Sequence, residues 1–101
     1  MKLLLLTAVK YYEKEIKNIL KNSGVKNYTY KDAIGYRDLS ELAVQENWFA
    51  NDMNEGMSIV FFAFVEKENV DSVFNKIKEF NEGAESFSHI HIAAINIERS
   101  L

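Results

Sequence analysis

The first strongly apolar run, Leu3 to Val9, is hydrophobic on both alternations apart from Thr7, the pattern of a strand covered on both faces. From Tyr11 to Ser23 the period changes. Tyr12, Ile16, Ile19, Leu20 and Ser23 share one face, polar residues occupy the rest, and Gly24 follows as a stop, which predicts an amphipathic helix. "YTYKDAIGY" alternates and is rich in aromatic and β-branched residues, predicting a strand from about Tyr28 to Tyr36. In "MSIVFFAFVE", Ile59, Phe61, Ala63 and Val65 fall on one face and Val60, Phe62 and Phe64 on the other, so this strand too is suited to burial on both sides. A second helix is predicted from about Val70 to Asn81, with Asn69 as N-cap, Val70, Val73, Phe74, Ile77 and Phe80 as its stripe, and Gly83 just past its end. "HIHIAAINIE" reads as a last strand.

The order βαββαβ closes most simply as a ferredoxin-like α+β sandwich, a four-stranded antiparallel sheet with both helices on one face. Two helices cover one face only. The double-sided hydrophobicity of the first and third strands therefore predicts an apolar patch too large for a monomer, which an oligomer would bury; a fold-back of the long connection is the alternative cover. At 101 residues, 48% of them hydrophobic, the chain fits one domain, 1–101. The opening "MKLLLLTAVKYYEKE" meets Lys10 with no cleavage-site pattern and reads as a strand rather than a secretory signal. No run approaches the roughly 20 apolar residues of a membrane span. The expectation is a soluble, cytoplasmic protein without direct membrane insertion.

The connection between the second and third strands, about 37–56, far exceeds the usual hairpin loop of about 2–5 residues, which marks it as functional or as hiding a short element. Arg37 is its one cation, against Asp38, Glu41, Glu46, Asp52 and Glu55. Such a segment repels a phosphate backbone. Its Trp48, the only tryptophan, and Phe49 are candidate anchors for a partner protein, or for the chain's own core or a neighbouring subunit.

Composition removes several kinds of chemistry. Cysteine is absent, so thiolate metal sites, cysteine nucleophiles and disulfides are excluded. Four glycines form neither a P-loop nor a dinucleotide fingerprint, and no hydrolase motif occurs, so an enzyme is not expected. Net charge is −3 and Lys14, Lys17 and Lys21 read as a solvated helix face, which disfavours nucleic acid. His89 and His91 stand two apart on the last predicted strand, on one side of the sheet if the strand is regular. They supply at most half of a zinc or copper site within one chain, with Glu85 and Glu98 as conceivable additions; a polar strand face is the plainer reading.

"EIKNILKNSGVKNYTYKDAIGYRD", with its helix positions, Gly24, the Thr29 strand and the Gly35–Tyr36 pair, resembles the "V-K-E-A-L…G…T-V…V-K-G-F" pattern of the PII signal transduction proteins and their PII-like relatives, and "VEKENVDSVFNKIKEFNEG" resembles their second helix region. The likeness covers nearly the whole chain. It implies a homotrimer with its sheets facing the threefold axis, a small effector in the clefts between subunits, and a target protein, such as a membrane transporter or metabolic enzyme, contacted through the T-loop, which falls on 37–56. By the same resemblance the cleft candidates are Arg37 and Asp38, with Gly83, Glu85, Ser86, Ser88 and His89 from a neighbouring subunit. The family's phosphate loop, T-G-K-x-G-D-G-K, has here the counterpart "EGAESFSHI", in which only Gly83 survives. Lacking the cations and glycines of a phosphate clamp, the chain is expected to bind ATP weakly or not at all. Nor does any tyrosine follow Tyr36 for modification in the T-loop. A CutA-like metal-binding trimer and a small dimeric α+β barrel enzyme share the element order and remain alternatives.

Overall fold

The computed structural model describes residues 1–36, 55–84 and 88–101. β1 (Lys2–Val9) runs through a short 3-10 turn (Lys10–Tyr12) into α1 (Glu13–Asn22); β2 (Thr29–Tyr36) and β3 (Glu55–Val65) follow, then α2 (Lys67–Gly83) and β4 (His91–Asn96). The strands form one antiparallel sheet in the order β2-β3-β1-β4, and both helices contribute to a core on one of its faces. This is the ferredoxin-like α+β sandwich that the pattern predicts.

α1 ends as its sequence directs. Gly24 takes φ 82°, a conformation that costs residues with a Cβ about 1–2 kcal/mol. Its N–H donates to Lys21 O and that of Val25 to Leu20 O, the paired bonds of a Schellman cap, with Val25 and Leu20 both buried. Ser23, buried as the helical spacing demands, accepts a hydrogen bond from Ser72 Oγ on α2 at 3.2 Å, tying the helices together.

Several element limits differ from the pattern. α2 begins at Lys67, and Asn69 is not its N-cap but lies in its first turn, where its N–H donates to Glu66 O. Periodicity locates a helix from its first buried residue, whereas a polar first turn has none to show. Gly83 is the last helical residue rather than a stop, and the extended Ala84 is the cap. β3 begins at Glu55, so the expected connection gives up Glu55 and Gly56 to a ladder in which Gly35 pairs with Gly56.

The two faces of the sheet separate by strict alternation. Leu4, Leu6 and Ala8 of β1 and Ile59, Phe61, Ala63 and Val65 of β3 are buried with Tyr12, Ile16, Leu20, Val73 and Ile77. On the helix-free face the register aligns Ile95, Leu3 and Phe64 in one row and Ala93, Leu5 and Phe62 in the next. That double row is apolar throughout, and Phe62, Phe64 and Ile95 are 39%, 59% and 42% exposed in the single chain. Among the described residues no helix is long and apolar enough to cross a membrane.

Candidate functional site

The sheet gathers its candidate chemistry at one end. β1 finishes there at Val9, opposite Ser58; β2 finishes there at Tyr36, opposite Glu55; β4 starts there at His91, opposite Thr7. Arg37 and Asp38 follow Tyr36 directly in sequence, and residues 84–90 lead into β4, but β2 and β4 are opposite edges of the sheet. Three strand spacings, about 14 Å, separate those edges within one chain.

The connection into β4 is fixed from two sides. Asn81, in the last turn of α2, donates from Nδ2 to Ile90 O at 2.9 Å and accepts at Oδ1 from Ile90 N at 2.8 Å. One carboxamide thus satisfies both backbone groups of a buried residue, in place of a neighbouring strand. From the other side the Tyr12 hydroxyl donates to Ser88 O at 3.2 Å. The Tyr12 ring is itself held edge-on against Phe80 of α2, with centroids 4.9 Å apart.

Beside this connection lies an open groove between α2 and β4, floored by Phe74, Ile77 and Ile92 and rimmed by Lys78, Glu82 and His89. His89 precedes the strand instead of lying in it. His91, opposite Thr7, belongs to the helix-free face, so the two imidazoles do not share the regular alternation expected from their spacing. Among the described residues no group of three His, Asp or Glu side chains is placed to hold a metal ion. Of the other site candidates, Gly83 is exposed at the end of α2 and Ser88 half-buried, whereas Arg37, Asp38, Trp48, Phe49, Glu85 and Ser86 lie outside the described residues.

Charge on the far side of the same end is organised rather than merely solvated. Lys10 bonds Asp32 at 2.6 Å and Glu13 at 3.2 Å, and Glu13 bonds Lys17 at 2.7 Å. Lys17 also donates to the Tyr30 hydroxyl and lies 4.2 Å from its ring centroid, which corrects its reading as simply solvent-facing. Hydrogen bonds from Lys17 and then Lys10 hold the Glu13 carboxyl below its ordinary value. The bond to Asp32 and then that to Glu13 raise Lys10, and Glu13 followed by Tyr30 raises Lys17. These cations are matched by local partners, leaving Lys78 as the cation beside the connection.

No protein-family model and no curated protein matches the sequence. Solved structures do. CPII, a nitrogen regulatory PII-like protein from Thiomonas intermedia K12, solved with ADP, AMP and bicarbonate, aligns with 99% of this chain and 94% of its own at 18% identity and a TM-score of 0.63. A second CPII structure from the same organism, with ADP, AMP and acetate, covers 95% of this chain and 88% of its own at 17% identity and a TM-score of 0.57. The fold is that of the PII-like proteins. In a PII-like fold the residues 84–90 connection and the end of β2 are the two segments singled out by the sequence resemblance. Sequence reasoning passed over Asn81 and Tyr12, which shape the first of them. Asn81 looked like helix-end polarity and Tyr12 like one more position of an apolar stripe.

Proposed function

We propose that the protein is a homotrimeric PII-like regulator, not an enzyme, acting in the cytoplasm. It binds a small effector between subunits and contacts a target protein, a transporter or metabolic enzyme, through the segment after β2. The observation that carries this reading is the apolar helix-free face, whose two rows offer a continuous surface for self-association. A second feature supports the cleft. Its candidate halves stand on opposite edges of one sheet, so a head-to-tail ring sets the β2 end of one protomer against the β4 start of the next. Arg37 and Asp38 form one wall in this reading, and Gly83, Glu85, Ser86, Ser88 and His89 the other.

ADP and AMP, present in the solved CPII structure, are the first effectors to test, with bicarbonate alongside. Residues 83–89 hold one glycine and no lysine, so the grip on a polyphosphate is weak and ATP binds poorly. Trp48 and Phe49 are the proposed hold on the target. Sedimentation equilibrium combined with calorimetry tests the proposal: three chains and saturable binding of AMP or ADP are expected. A dimer, or a trimer that binds none of these ligands, overturns it. Trp48→Ala is expected to leave the mass unchanged and to weaken target binding by about tenfold or more, as loss of a tryptophan anchor does.

A further inference from the structure

We infer that Asn81 is a positioning residue for the effector site, holding the connection between α2 and β4 in its binding shape; this rests on the regulatory reading above. Its carboxamide bonds both backbone groups of Ile90 and so closes the chain from residue 81 to residue 90 into a loop of fixed span. Without that closure the connection has only the Tyr12 hydroxyl, on Ser88 O, among the printed side-chain bonds to hold its second half. Ile90 is 2% exposed, so its amide and carbonyl have little recourse to water if Asn81 is lost. His89, immediately before this anchor, is thereby set at the rim of the groove whose other polar residues include Lys78 and Glu82.

A loop that is already shaped gives up less conformational freedom when a ligand binds, and that is the benefit assigned to Asn81. The ligand class is a small anion-bearing molecule the size of a nucleoside monophosphate. The cation available at the described part of the connection is the single Lys78, which suits one phosphate better than three.

The test compares the wild-type chain with Asn81→Ala and Asn81→Asp. Aspartate retains an acceptor for the Ile90 amide but cannot donate to its carbonyl when ionised; alanine does neither. The Ile90 amide is expected to exchange with solvent on the order of tenfold faster in Asn81→Ala and to stay protected in Asn81→Asp. AMP affinity is expected to fall by about tenfold in Asn81→Ala and by less in Asn81→Asp, at unchanged oligomer mass. Ile90 exchange that ignores the alanine substitution overturns the clasp, and this readout needs no ligand. Faster exchange with wild-type AMP affinity overturns the positioning role while leaving the regulatory reading intact. A wild-type protein that binds neither AMP nor ADP overturns the regulatory reading, and the ligand role of Asn81 with it. Loss of the oligomer in both variants assigns Asn81 to assembly and likewise overturns the inference.

Discussion

Phe61 and Phe62 are chain neighbours on β3 with opposite surroundings. Phe61 is 0% exposed, stacked with Tyr30 at 5.2 Å between ring centroids and packed near Tyr28 at 5.6 Å, whereas Phe62 is 39% exposed between Leu5 and Thr29 on the face without helices. The residue type is the same and the alternation of the strand decides the rest. One face is completed by the chain's own helices. The other is as apolar in its first two rows but has no cover within the chain, so the same hydrophobicity means stability on one side and association on the other.

The strongest way to break this contrast is to cut into the covered side. Phe61→Ala is expected to cost about 3–5 kcal/mol in chemical denaturation, because a large fully buried ring leaves a cavity that the stacked tyrosines refill only in part. Next comes the free face: Phe62→Asp is expected to release single chains in sedimentation, with about 1 kcal/mol lost from the intrinsic fold. An unchanged oligomer in that variant removes the helix-free face from the assembly. Gly24→Ala sharpens the comparison by weakening the covered side without touching either face. A Cβ there meets Asn69 Nδ2 at an ordinary 3.4 Å, so the expected loss of about 1 kcal/mol comes from the positive φ rather than from collision.

The smallest effect is electrostatic and lies outside both faces. Glu13 has a lowered carboxyl pKa in the fold, so its pairing with Lys17 and Lys10 stabilises the native state above the ordinary value of 4.5 and ceases to do so as pH falls through the lowered native value. The difference in melting temperature between wild type and Glu13→Gln is therefore expected to be greatest near neutrality and to vanish in acid. It should shrink with salt, since all three partners are solvent-accessible.

Where hydrophobic period alone sets an outcome, the residues disclose it. The burial of Phe61 against the exposure of Phe62, the stop at Gly24 and the pairing of β1 with β3 all follow from alternation and one left-handed glycine. Element ends are harder, because Lys67, Glu68 and Asn69 extend α2 with no buried side chain to mark them. Local side-chain recognition is harder still. Asn81 meets Ile90 across nine positions through a contact that neither helical nor strand periodicity encodes, and His89 is taken out of the regular alternation with His91 by the same contact. Within the candidate site, Ser88, His89 and Gly83 could be placed; the roles of Arg37, Asp38, Glu85 and Ser86 rest on their position in the sequence.

The Asn81 clasp has a consequence for how this molecule can change. Its two partners stand at either margin of the connection, and both hydrogen bonds on the Ile90 side are to backbone atoms. The clasp therefore takes no account of which side chains occupy positions 84–88. Substitutions there are free to alter what the protein senses while the neighbouring helix and strand keep their places, which makes the segment a replaceable cassette: a library randomised at those five positions samples new ligands at little risk to folding.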